Sequence, residues 1–132
     1  MNVLNKSITL LFTLLITIAL TSCVQERHPK TVTFKVDMNG IDNVYDVGIR
    51  GNFTPNRWND TVPLTDDNND GIYEGTVRDT TAINQIQFKF VYQGNQFELG
   101  GADNRTLEFE YQPETIIYKA VFDNPDATIT RQ

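Results

Sequence analysis

The chain has one cysteine, one histidine and one tryptophan in 132 residues, and each scarcity closes off a class of protein. With Cys23 alone no intrachain disulfide can form, so the fold must hold by packing and hydrogen bonding. His28, the sole histidine, falls in what reads as a polar tether, which leaves no conventional histidine-based triad inside a domain. Carboxylates are plentiful, and cleaving a glycosidic bond needs only two of them across a cleft, but so small a domain has little mass to build one. Catalysis is therefore not expected. Basic residues are outnumbered, 11 against 17 acidic ones, for a formal charge of −6. No basic cluster interrupts that balance, so nucleic acid and anionic headgroups are disfavoured, leaving neutral molecules, cations or other proteins as partners. Also missing beyond the N-terminus is any helical apolar stripe over three turns.

What is present starts with a leader. Lys6 supplies positive charge, Ile8 to Leu20 is apolar apart from threonines, and the run closes in Leu20-Thr21-Ser22-Cys23. Too short for a permanent bilayer anchor, it reads as a secretory signal over residues 1–22. The closing residues resemble a bacterial lipobox, in which small residues precede a cysteine that is diacylated and becomes the new N-terminus. That resemblance implies lipid on Cys23, with each buried methylene adding ~0.8 kcal/mol to membrane attachment. Residues 23–30, polar and carrying Pro29, then form a lipidated tether. The implied location is the cell envelope, at the outer membrane of a bacterium. The chain from Val24 onward suffices for one domain.

After the tether the apolar period becomes two. Val32, Phe34, Val36 and Met38 alternate with Thr33, Lys35 and Asp37, as in a half-buried strand. Similar patterns recur at 44–51, 72–77, 86–92, 106–111 and 116–122, with short extended pieces at 62–65 and 96–98. Between them lie the turn formers Asn39-Gly40, Gly94-Asn95, Gly100-Gly101 and Gln112-Pro113. The expectation is an all-β fold, an antiparallel immunoglobulin-like β-sandwich of seven to eight strands over residues 31–124, with 125–132 as a C-terminal tail. Phe34, Phe88, Phe90, Phe109, Ile117 and Val121 are expected to face its core. Lys89 falls on the opposite, solvent side of its strand, where its ammonium needs no buried partner.

Trp58 lies among turn formers in Asn52-Phe53-Thr54-Pro55-Asn56-Arg57-Trp58-Asn59-Asp60, an unusual setting for a large flat side chain. Three segments around it resemble the starch-binding domain family, carbohydrate-binding module family 20. Val47-Gly48-Ile49-Arg50-Gly51-Asn52 leads into the loop with Trp58, Gln87-Phe88-Lys89-Phe90-Val91 resembles the family's aromatic-Lys-Phe strand, and Phe97-Glu98 with Asn104-Arg105 resembles its Trp-Glu and Asn-Arg pair. The resemblance implies a non-catalytic, cofactor-free site for starch or other α-glucans. In it Trp58 and Phe97 are platforms, Lys89 and Asn104 donors to sugar hydroxyls, and Glu98 an acceptor. Phe97 replaces the usual tryptophan, and the gap between Glu98 and Asn104 is longer than in the family. A pyranose presents one C–H face and a hydroxyl edge, so a flat apolar partner with a few directed polar groups suits it. Amylases or glycan-uptake proteins would be natural partners. Two other readings use the same residues: an adhesion or assembly module with Trp58 as the anchor of a protein interface, and a module for a different glycan.

Asp66, Asn68 and Asp70 with Gly71 match the opening of a calcium loop, and Glu74 falls at its ninth position. Val77 occupies the twelfth, where a bidentate glutamate belongs. An acidic hairpin turn is the expectation, with no metal.

Overall fold

The computed structural model describes residues 2–8 and 24–132; the first of these stretches is helical, and Cys23 lies outside the described residues. Nine strands follow: β1 (His28–Asp37), β2 (Gly48–Gly51), β3 (Val62–Pro63), β4 (Ile72–Thr81), β5 (Gln85–Tyr92), β6 (Gln96–Phe97), β7 (Arg105–Glu108), β8 (Glu114–Val121) and β9 (Ala127–Arg131). One sheet has the order β4-β1-β8-β9; the other runs β3-β2-β5, with β6 and β7 both pairing with β5. The two pack face to face as an all-β sandwich, the architecture that the alternating pattern predicts.

Each inward face supplies apolar side chains at every second residue. Val32, Phe34 and Val36 of β1 meet Ile86, Phe88 and Phe90 of β5, with Ile49, Leu107, Ile116 and Tyr118 filling the layer between. The rings of Phe34 and Tyr118 both contact Phe88 edge to face, with centroids 5.0 Å away in each case, the arrangement that ring quadrupoles favour.

Several expectations change. Pairing is antiparallel except between β1 and β8, which run parallel with Phe34 opposite Tyr118. Residues 28–30 already belong to β1, and the expected tail contains β9, whose Arg131 pairs with Ile116. In β8 the core phase is Ile116, Tyr118 and Ala120, so Ile117 is only half-buried and Val121 is exposed. The polar Thr115 and Lys119 share the phase of Ile117 and Val121, and that decides which face is wet. Glu114 rides on the buried phase because Lys30 meets it at 2.6 Å, while the Lys30 ammonium also donates to the carbonyls of Glu110 and Gln112.

The edge beside β5 is broken, and the break shapes the outer face of its sheet. β6 covers the Val91–Tyr92 end of β5 and β7 covers its Gln85–Phe88 end. Between them, the Glu98 N–H donates to the Phe90 carbonyl at 3.1 Å, and the Glu98 carboxylate accepts the Phe90 N–H at 2.8 Å in place of a strand carbonyl. Arg105 then restarts the edge. Its guanidinium grips the Glu98 carboxylate in a two-pronged pair of 2.6 and 2.8 Å, both side chains being almost wholly buried. The same guanidinium donates to the carbonyl of Asn124 at 2.7 Å, in the turn joining β8 to β9, so it fastens one sheet to the other.

Removing one member of this pair strands the other charge in the interior, which costs about 3–5 kcal/mol. Glu98→Ala is expected to lower the urea midpoint accordingly, followed by Trp58 fluorescence. The double variant Glu98→Leu/Arg105→Met, which removes both charges, is expected to be more stable than Glu98→Ala.

Candidate functional site

The outer face of the β3-β2-β5 sheet carries two of the predicted residues, Lys89 and Phe97. In β5, Phe88 and Phe90 point into the core, so Gln87 and Lys89 point out, and β2 places Arg50 directly opposite Lys89. β6 pairs Phe97 with Val91, which puts the Phe97 ring on that same outer face. Val91 is fully buried although it stands outside the core cluster, as expected of a residue covered from the outside.

Two glycines let the neighbouring strands come close. A Cβ on Gly48 would lie 2.6 Å from the Val62 carbonyl oxygen, and one on Gly51 only 2.4 Å from that of Gln87. Asn52 then ends β2 by exchanging two bonds with Gln87, its amide N–H donating to the carbonyl and its side-chain oxygen accepting the N–H. Trp58 sits in a 3-10 turn, Arg57–Asn59, that packs on β2 and leaves the indole half-buried. Thr54 caps this turn by bonding the Arg57 carbonyl. The Asp60 carboxylate closes it from the other side, accepting the Asn56 backbone N–H at 2.9 Å and its side-chain amide at 3.0 Å. These bonds, led by the Asn56 side chain, hold the Asp60 carboxyl below its ordinary value, with a smaller contribution from the charge of Arg50.

Arg50, which the sequence reading passed over, ties the pieces together. Its Nε donates to the Thr61 hydroxyl at 2.7 Å, fixing the exit of the Trp58 loop. Its Nη2 donates to the Gly94 carbonyl at 2.6 Å, and the guanidinium lies 5.5 Å from the Phe97 ring centroid. An arginine alternating with buried Ile49, one strand from an aromatic hairpin, was the available signal. Lys89 does have partners: its ammonium donates to the carbonyls of Leu99 and Ala102, both at 3.0 Å, and so caps the turn after β6. Two of its three N–H groups are used in this way.

Glu98 is not on this face. Successive residues of an extended chain point to opposite sides, so a platform at Phe97 places Glu98 inside, where Arg105 and the Phe90 N–H occupy its oxygens. Burial pulls the Arg105 pKa down, but the hydrogen bonds and charge of Glu98 outweigh it and leave the guanidinium above its ordinary value. Asn104 is exposed immediately before β7 and makes no hydrogen bond among the described residues. Arg50, Lys89 and Phe97 are thus brought together, with Trp58 joined to them through its anchored loop.

The predicted calcium-loop residues have other work. Asp66 accepts the N–H groups of Asp70 and Gly71 at 3.0 and 2.9 Å, and Asp70 accepts that of Ile72 at 2.8 Å. The Ile72 bond is the chief reason that the Asp70 carboxyl lies below its ordinary value. Asn68 donates to Asp70 at 3.0 Å, and Glu74 pairs with Lys35 across the strands at 2.6 Å. Among the described residues no three His, Cys, Asp or Glu side chains converge as metal ligands. A separate apolar cleft of about 280 Å³ opens between the sheets, lined by Phe53, Val77, Ile83, Ile86 and Phe109 among others.

The lowered Asp60 pKa fixes a pH dependence for the Trp58 loop. A carboxyl depressed in the folded state contributes order that is complete above its unfolded pKa and is lost as pH falls through the folded one. Trp58 emission is therefore expected to stay constant from neutral pH down to about 4 and to change only below that. Asp60→Asn should make that change smaller.

Scanned against models of known protein families the chain matches none, and it matches no curated protein.

Proposed function

We propose that this chain is a non-catalytic, carbohydrate-binding lipoprotein that captures starch or other α-glucans at the cell envelope. The observation supporting it is the outer sheet face, where the Phe97 ring, Lys89 and Arg50 share one side and the Trp58 loop is fastened to Arg50 through Thr61. A flat apolar ring beside donors with N–H groups to spare suits the two-faced chemistry of a pyranose. Arg50 replaces Glu98 in the set of polar groups on that face.

Rigidity adds to the case. Each aromatic is carried on a short segment whose backbone is tied at both ends, so little ordering remains for a ligand to impose. Burying a few tens of square ångströms of sugar face yields on the order of 1 kcal/mol per platform. Hydrogen bonds to hydrated hydroxyls add roughly 0.5–1.5 kcal/mol each. The resulting dissociation constant is expected at about millimolar to tens of micromolar. Dense display on a membrane would raise the effective affinity through avidity.

Trp58→Ala and Phe97→Ala are each expected to weaken binding of amylose or cyclodextrin by about 5- to 30-fold, the effect of one to two kcal/mol. Isothermal titration of folded protein measures this. Unchanged affinity in Trp58→Ala would remove Trp58 from the site. Silence of the native chain on every α-glucan of a glycan array, together with a crosslinked envelope protein, would favour the assembly module instead.

A further inference from the structure

Among the described residues, the end of the sandwich where the chain enters carries exposed apolar groups. Before β1, residues 24–27 lie along the β4–β5 connection: the Gln25 side chain donates to the Ala82 carbonyl at 3.3 Å, and Arg27 donates to that of Thr80. The Glu26 N–H donates to the Tyr111 hydroxyl at 2.9 Å, and the His28 ring meets the Tyr111 ring edge-on at 4.5 Å. These contacts gather Val24, Ile83 and Tyr111 around one pole, where they are 86%, 47% and 61% exposed. Ile83 and Gln25 line one shallow concavity there. Ile83 also lines the apolar cleft between the sheets.

We infer that this pole is a membrane-contact surface, in which Val24, Ile83 and Tyr111 rest in the interfacial layer of the bilayer that holds the lipid. The inference rests on the lipoprotein reading of Cys23. With Cys23 diacylated, the lipid sits on the residue immediately before Val24 and is held within a few ångströms of the pole. An aliphatic pair with a tyrosine whose hydroxyl keeps a polar partner is the chemistry that interfacial membrane contacts use. Docking also orients the domain. β5 starts at this pole with Gln85 and carries Val91, the partner of Phe97, six residues further on, about 20 Å away. The Phe97 end of the proposed glycan-binding face would then stand clear of the headgroups, while the Trp58 loop, which leaves β2 at Asn52 opposite Gln87, would lie nearer the membrane.

The test uses the full chain, exported and lipidated in a bacterial host and incorporated into vesicles of phosphatidylethanolamine and phosphatidylcholine. Because the lipid occupies the thiol of Cys23, Ile83→Cys and Asn95→Cys each offer one site for an environment-sensitive fluorophore. Asn95, in the β5–β6 turn, reports the far pole. The position 83 probe is expected to shift to the blue and to lose iodide quenching by about threefold or more on vesicles, with position 95 unchanged. Protein that floats with vesicles while both probes stay equally quenched would overturn the docking and leave the lipoprotein reading standing. Protein recovered without lipid by mass spectrometry, and failing to float, would overturn both.

Discussion

The buried pair of Glu98 and Arg105 is the constraint on which the outer face of the β3-β2-β5 sheet depends. Two charges removed from water are tolerated because almost every polar direction around them is answered: the carboxylate by the guanidinium and the Phe90 N–H, the guanidinium by that carboxylate and the Asn124 carbonyl. Without it, β5 would face solvent at the gap between β6 and β7, and the turn after β8 would lose its link to the opposite sheet. The pair makes a discontinuous edge as well satisfied as a continuous one.

That discontinuity has a use. A continuous edge strand would run past Phe90 and leave no room for the excursion of residues 99–104, which the Lys89 ammonium caps from the outer face. Internal polar bonding at Glu98 thus sets the position of Phe97 one residue earlier and of the Lys89-capped turn one residue later. Arg50 performs the corresponding task on the outside by joining the Thr61 hydroxyl, the Gly94 carbonyl and the Phe97 ring. Stability and presentation are coupled through neighbouring residues but drawn from opposite faces of the sheet.

The sandwich was legible because period-two alternation is strong wherever one face is dry, as in Val32-Thr33-Phe34-Lys35-Val36. It was less legible in β8, where Ile116 and Ile117 are adjacent and only Thr115 and Lys119 reveal the phase. β9 is not legible because Ala127–Arg131 is exposed along its whole length, so burial leaves no imprint on its composition. Ordered motifs name Trp58, Lys89, Phe97 and Glu98 together, but similarity of sequence order ignores which way a side chain faces, and Glu98 faces inward. The position of Arg50 is hidden for a related reason: its partners are a hydroxyl, a carbonyl and a ring, from segments distant in sequence.

The parallel placement of β8 beside β1, with β9 folding back antiparallel, returns the last strand to the pole where the first begins. Arg131 pairs with Ile116, whose other neighbour is Val32, so the two ends of the domain are separated by one intervening strand, about 10 Å. A unit with adjoining ends behaves as a cassette. It can be spliced into a surface loop of another protein, or have its ends joined and new ones opened at the β5–β6 turn, without redrawing either sheet.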